Sequence, residues 1–201
     1  QVGQTALALG MTDISLASLQ EAVLTDPDNL LSRHALADAY MEANLENEGF
    51  ATARSTMQIA PTDIENVLWY SNFMSEHNNA RESIQVLKDT IHIRPDEKAL
   101  YLTLARTYVN LNQIEETKET LNRMLEIEGI ETEEYVNVAN LYLHLNLTEE
   151  ASEIIRKAIS DNPTPDFQES RDLVYSVLKL GDASAALQLL KDLEPSLQNN
   201  P

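Results

Sequence analysis

Helix-breaking residues recur along this chain at a fixed interval of 34 residues. Pro27, Pro61, Pro95, Gly129 and Pro163 follow one another at that spacing. Between consecutive breakers lie two runs with the apolar periodicity of an amphipathic helix, separated by a short polar turn. Each run is about 11–14 residues long, which is marginal for an isolated helix in water. The pattern therefore predicts pairs of antiparallel helices that stack and bury one continuous core.

The interval divides the chain into six units. We expect a truncated unit over 1–29, followed by units over 30–63, 64–97, 98–131, 132–165 and 166–195, the last with one inserted residue near Asp166. All of them are assigned to a single domain over residues 1–201. Because the chain opens in mid-helix on QVGQTALALG, without a Met, we expect it to be a fragment of a longer protein.

Nearly all residues at the two positions of each unit where the paired helices would cross have small side chains. Position 8 holds Gly3, Ala37, Ser71, Ala105, Ala139 and Val174, and position 20 holds Ser15, Gly49, Ser83, Thr117, Ala151 and Ala186. Two antiparallel helices joined by a tight turn approach closely only where small side chains face each other. These positions therefore support helical hairpins independently of the prolines.

The unit pattern resembles that of the tetratricopeptide repeat family, with an aromatic residue at position 4, Tyr at 11, Ala at 20 and Pro at 32. The fourth and fifth units match it best, with Tyr101 and Tyr135 at position 4. The resemblance implies an all-α fold, a right-handed α-solenoid of about five to six antiparallel helix pairs. It also implies a non-catalytic scaffold for protein–protein interaction. Met124 and Gly129 depart from the pattern, so the junction after the fourth unit is expected to differ.

The chain is strongly acidic, with a net charge of −19 from 14 basic and 33 acidic residues. A field of this sign repels phosphate backbones and anionic lipids, so we expect neither nucleic acid nor a membrane surface as a partner. No apolar run reaches the roughly 20 residues that span a bilayer, which argues against membrane insertion. A basic protein partner is favoured, although acidity that serves only solubility fits as well. The absence of cysteine leaves cytoplasmic and periplasmic locations both open.

The sequence carries no pattern that indicates catalysis, a metal or a cofactor. It contains no cysteine, and G-x-S-x-G, P-loop and G-x-G-x-x-G motifs are absent. Its four histidines, His34, His77, His92 and His144, do not pair at the spacing of a zinc site. The Asp26-Pro27-Asp28-Asn29 turn lacks the glycine and glutamate of a calcium loop. We therefore predict no enzyme activity and no cofactor.

The resemblance implies that the first helix of each unit lines a concave groove. The candidate partner-binding residues at groove positions are His34, Asp38, Trp69, Asn72, Arg106, Asn110, Asn137, Asn140 and His144, and the sixth unit adds Arg171, Asp172, Tyr175 and Lys179. Trp69 is either an anchor for a partner side chain or packs against the neighbouring first helix. Asn72 and Asn140 share one position and either hold a peptide backbone with their amides or reflect the abundance of asparagine.

Two other functions compete with a groove that binds a general peptide. The carboxylate clamp of this family needs Lys and Asn residues where Leu68 and Thr103 stand, so a clamp for acidic chaperone tails is not expected. The alternative to a groove-binding scaffold is a structural spacer or oligomerisation segment of a larger multidomain protein. Because the first unit is truncated, we expect exposed apolar surface at the N-terminal end, which would allow a homodimer through the solenoid ends.

Overall fold

The computed structural model describes residues 12–163 and 165–181, which contain ten α-helices and no strand. The helices are α1 Thr12–Thr25, α2 Leu30–Glu42, α3 Glu46–Ile59, α4 Ile64–Glu76, α5 Ala80–Ile93, α6 Lys98–Asn110, α7 Ile114–Leu125, α8 Thr132–His144, α9 Thr148–Asp161 and α10 Phe167–Lys179. The predicted all-α class of antiparallel helix pairs is thereby confirmed. The first helix of the truncated unit over 1–29 and the second helix of the unit over 166–195 lie outside the described residues.

The chain forms two compact units, which are larger than the six repeat units of the sequence. We call them unit 1, Gln1–Pro95, and unit 2, Asp96–Pro201. Unit 1 contains the hairpins α2–α3 and α4–α5, and unit 2 contains α6–α7 and α8–α9 followed by α10. The first helices of these hairpins begin at Leu30, Ile64, Lys98 and Thr132, at the 34-residue spacing of the sequence. A single domain that extends over both units stays a prediction.

The small residues at the helix crossings are buried in each hairpin. Among them Ala37, Ser71, Ala105 and Ala139 of the first helices and Ser83, Thr117 and Ala151 of the second helices have no exposed surface. At Gly49 an added Cβ atom would lie 2.4 Å from Met41 Sδ and 3.3 Å from the Ala37 carbonyl oxygen. The two helices of a pair therefore pack at a distance that larger side chains would not permit.

A carboxylate connects three elements of unit 1. Glu82 of α5 accepts hydrogen bonds from Arg54 Nη2 at 2.8 Å, Tyr70 Oη at 2.5 Å and Asn79 Nδ2 at 2.8 Å. The bonds from Arg54 come first among the causes that lower the pKa of Glu82 to about 2, ahead of those from Tyr70 and Asn79. Glu82 therefore stays ionised and joins α3 and α4 to the start of α5.

An asparagine with a left-handed backbone closes each of the four described hairpins. Asn44, Asn78, Asn112 and Asn146 have φ angles of 59°, 60°, 55° and 59°. In the third hairpin the N–H of Asn112 donates to the Val109 carbonyl and the N–H of Gln113 donates to the Tyr108 carbonyl, both at 2.9 Å. This is the bonding of a Schellman cap, which satisfies carbonyl groups at the end of a helix. Asparagine adopts this conformation more readily than other residues with a side chain, apart from aspartate.

We expect substitution of Asn112 to separate backbone strain from side-chain loss. Asn112→Ala should lower the free energy of unfolding by about 1 kcal/mol, since alanine is disfavoured at positive φ. Asn112→Gly should leave it unchanged or raise it slightly, because glycine accepts that conformation without strain. Asn112 is exposed, so neither change disturbs packing. Urea unfolding followed by circular dichroism measures the free energy of unfolding of both variants. Equal values for the two would contradict backbone strain as the cause of the alanine effect.

Candidate partner-binding faces

Three of the predicted groove residues of unit 1 form one cluster. His34 and Asp38 lie one helical turn apart on α2, and the ring of Trp69 on α4 stacks on the His34 ring, with centroids 3.8 Å apart and planes at 14°. The Trp69 indole N–H donates to the Asp38 carboxylate, and the Phe73 ring lies 5.2 Å from the Trp69 ring. We call His34, Asp38 and Trp69 the aromatic–carboxylate cluster. Its side chains are half-buried, so the cluster remains partly open to a partner.

A buried asparagine fixes the base of this cluster. Asn66 has no exposed surface, and its Nδ2 atom donates to the carbonyl oxygens of Ala60 at 2.9 Å and Thr56 at 3.3 Å. Its Oδ1 atom therefore faces His34 Nε2 at 2.8 Å, so this nitrogen carries the proton. Burial lowers the pKa of His34, which favours the neutral ring. Asn66 is not among the residues that the sequence pattern predicts for the groove.

Three carboxylates, those of Asp38, Glu42 and Glu76, make this part of unit 1 anionic. Burial raises the pKa of Asp38 to about 6, and the nearby carboxylates of Glu76 and Glu42 act in the same direction. The hydrogen bond from Trp69 and the charge of His77 act in the opposite direction. At neutral pH the Asp38 carboxylate is therefore ionised and held close to two further carboxylates.

Asn72 lies on α4 beside the cluster but takes no part in it. Its side chain is half-buried and makes no hydrogen bond to any residue within the described part of the chain. Both the donor and the acceptor of its amide therefore remain available to a ligand.

The predicted residues of unit 2 lie on consecutive first helices. Arg106 and Asn110 on α6 and His144 on α8 are exposed, while Asn137 and Asn140 on α8 are half-buried. Helix α8 packs against both α6 and α10, so these residues lie on neighbouring helices within unit 2.

Helix α10 adds two residues to this surface. Lys179 Nζ donates to Asn140 Oδ1 at 3.1 Å and lies 5.1 Å from the centroid of the Tyr175 ring, which is 61% exposed. We call Arg106, Asn110, Asn140, His144, Tyr175 and Lys179 the unit 2 face.

Membrane spans and metal sites were considered for the described residues. Over residues 12–163 and 165–181, no helix combines the length and the apolar character that a membrane span requires. In the same part of the chain, His, Asp and Glu side chains do not form a group of three or more that could hold a metal ion.

Comparison with known proteins identifies the family. Two family models, both described as tetratricopeptide repeat, match residues 74–129 and 135–165. Residues 74–129 and 135–165 are therefore tetratricopeptide repeats. As a family, tetratricopeptide repeat proteins are generally non-catalytic, and the repeats support a protein–protein interaction scaffold as the class of function.

Several solved structures have the same fold. PilW, a widely conserved type IV pilus biogenesis factor, superposes with a TM-score of 0.57 at 18% identity, over 98% of this chain and 94% of that chain. A thermophilic tetratricopeptide repeat protein of Thermus thermophilus gives 0.54 at 20% identity, over 88% and 95%. MamA gives 0.54 at 17% identity, over 81% and 88%. At such identities the likeness concerns the fold alone. A search of curated proteins found no match.

Proposed function

We propose that this tetratricopeptide repeat protein is a non-catalytic scaffold that binds a peptide or helix of a partner protein along the first helices of its hairpins. The observation that carries the proposal is that the Trp69 ring is held in place and is also partly exposed. Its ring is held by His34, Phe73 and Asp38 and yet stays partly exposed. An aromatic side chain fixed before binding loses little conformational entropy when a partner covers it.

The charge of the cluster defines the part of a partner that unit 1 accepts. Asp38 carries a carboxylate next to Trp69, and Glu42 and Glu76 lie near enough to affect its pKa. A lysine or arginine side chain placed over the indole ring would gain cation–π attraction and the field of these carboxylates. Unit 1 therefore takes a basic segment with an apolar anchor, and the amide of Asn72 binds its backbone.

The proposal can be tested before the partner is identified. A displayed library of random 12-residue peptides is selected on the whole chain, and binding is followed by tryptophan emission. Because Trp69 is the only tryptophan, a change in emission reports on the cluster itself. We expect the selected peptides that change Trp69 emission to be rich in Lys and Arg, and the double variant Asp38→Asn, Glu76→Gln to raise the Kd of these peptides about tenfold or more. Asparagine at position 38 can still accept the indole hydrogen bond, so the cluster should stay folded.

A charge-matched variant provides the control. Glu48→Gln combined with Asp89→Asn removes the same charge from exposed positions on α3 and α5, the second helices of unit 1. We expect this control to bind as the unmodified chain does. The proposal is refuted if no selected peptide changes Trp69 emission, or if the peptides that change it bind equally to both double variants.

Exposed leucines at the N-terminal end of the described residues favour a second candidate, an oligomerisation segment. Leu24 on α1 and Leu31 on α2 are 81% and 72% exposed, and they lie on either side of one turn. Such a surface suits a homodimer through this end of the chain. Sedimentation velocity over a hundredfold range of concentration tests this candidate. Self-association that Leu24→Gln, Leu31→Gln abolishes, and that the Asp38→Asn, Glu76→Gln variant leaves intact, would support it over the scaffold.

A further inference from the structure

The C-terminal halves of the first helices in unit 2 lack acidic residues. Residues 104–114 and 138–148, and the nine residues 173–181 between Asp172 and Asp182, contain no Asp or Glu, although the chain has 33 of them in 201 residues. The same stretches carry Arg106, His144 and Lys179, all of them exposed. Against a net charge of −19, this part of unit 2 is neutral to basic.

Unit 1 has the opposite charge at the equivalent stretches. Residues 36–46 and 70–80 contain Asp38, Glu42, Glu46 and Glu76, and neither Lys nor Arg. The basic residues of unit 2 are therefore not a property that every first helix shares. The helix dipole favours a cation in the last turn of any helix. It would therefore favour cations in α2 and α4 of unit 1 as well, and it does not explain why they occur only in unit 2.

The side chains of the unit 2 face are held in place for binding. Lys179 donates one hydrogen bond to Asn140 Oδ1 and lies over the Tyr175 ring, so its ammonium group keeps further N–H donors for a ligand. Since Asn140 Oδ1 accepts from Lys179, its Nδ2 group remains a donor. The exposed side chains of Tyr175 and Leu178, 61% and 47% exposed, provide apolar contact beside these donors.

Two acidic groups at the other ends of the same helices have cationic partners. On α8, Glu134 pairs with Lys98 at 2.8 Å, and on α10, Asp172 pairs with Arg171 at 2.9 Å. Glu133, in the first turn of α8, is exposed. It lies about three turns away from His144 along α8 and does not cancel the charge of the unit 2 face.

We propose that the unit 2 face binds an acidic, extended peptide segment of a partner protein, with Arg106 and Lys179 on its carboxylates and Asn110 and Asn140 on its backbone. This inference rests on the proposed scaffold function and adds the charge of the segment that unit 2 selects. Charge complementarity identifies the occupant, because the acidic surface elsewhere on the chain would repel such a segment.

The test uses the whole chain and three fluorescein-labelled peptides, (Glu-Ala-Ser-Leu)3 and its Lys and Gln counterparts, in an anisotropy titration. We expect the Glu peptide to bind at least tenfold more tightly than the Gln peptide at 50 mM NaCl and to lose this advantage at 500 mM. The variant Arg106→Gln, Lys179→Gln should raise its Kd about tenfold. The control Arg156→Gln, Lys157→Gln removes the same charge from exposed positions on α9, a second helix of unit 2, and should bind as the unmodified chain does.

Each contrary outcome identifies which proposal fails. Equal loss of Glu-peptide binding in both double variants, or tighter binding of the Gln peptide, overturns the acidic preference of the unit 2 face. If that occurs while selected basic peptides still depend on Asp38 and Glu76, the scaffold function stands without this inference. If no peptide of any charge binds at either location, both proposals fall. Circular dichroism spectra of the variants confirm that loss of binding does not come from unfolding.

Discussion

Replacing Asn66 with alanine is expected to lower the free energy of unfolding of unit 1 by about 2–4 kcal/mol. The substitution leaves the carbonyl groups of Thr56 and Ala60 and the Nε2–H group of His34 without their partner. It also leaves a cavity at a position with no exposed surface. Urea unfolding followed by the emission of Trp69 measures the effect, because this ring stacks on the His34 ring that Asn66 orients.

A second asparagine of the same helix gives the matched control. Asn72 is half-buried and has no hydrogen-bond partner among the described residues. Asn72→Ala should therefore change the free energy of unfolding by about 0.5 kcal/mol or less. Equal losses in the two variants would show that the Asn66 hydrogen bonds do not stabilise unit 1.

We expect loss of the hydrogen bonds to Glu82 to have the second largest effect on the free energy of unfolding, and we expect this effect to depend on pH. Glu82→Gln should lower the free energy of unfolding at pH 7 by about 1–2 kcal/mol, a range reduced for the 30% of the side chain that water reaches. The pKa of Glu82 is lowered from 4.5 to about 2 in the folded chain. Its contribution is therefore complete above the unfolded value of 4.5 and is lost as the pH falls towards 2.

Acid titration of the two proteins distinguishes this network from general acid sensitivity. Between pH 4.5 and 2 the unmodified chain should lose the stability that Glu82 supplies, so that its stability approaches that of the Glu82→Gln variant. Glu150→Gln, at the same repeat position in the hairpin α8–α9, should cost less, because Lys118 is the only side chain of the described residues that donates a hydrogen bond to Glu150. Parallel curves for the unmodified chain and the Glu82→Gln variant would contradict the assignment.

The 34-residue spacing predicted the helices well because proline and turn residues fix where a helix can begin and end. Helices α3, α5 and α9 each end two residues before the proline of their repeat. At the junction after the fourth repeat, which the sequence predicts to differ, α7 ends at Leu125, four residues before Gly129. There the N–H of Ile127 donates to the Met124 carbonyl, and Gly129 follows with a φ angle of 73°.

The candidate site was less accessible to sequence analysis because its geometry depends on contacts between helices. Position in the repeat placed His34 and Trp69 on one side of their helices, but it could not show that the two rings stack. Asn66 and Asn72 lie on the same helix, and their spacing in the sequence does not show that Asn66 is buried whereas the amide of Asn72 is available to a ligand. The recurrence of Asn44, Asn78, Asn112 and Asn146 at 34-residue intervals was, in contrast, readable in the sequence and would have identified the turns.

The asparagine turns also bear on how the chain folds during synthesis. Each turn is closed by backbone bonds between residues at most five positions apart, such as Gln113 with Tyr108. Chains in which contacts are local in sequence fold quickly, because little loop entropy is lost before contacts form. A hairpin can therefore close soon after its own residues leave the ribosome, before the next hairpin exists. Its stacking surface then remains uncovered until the following hairpin is made, and this interval is when the nascent chain depends most on chaperones.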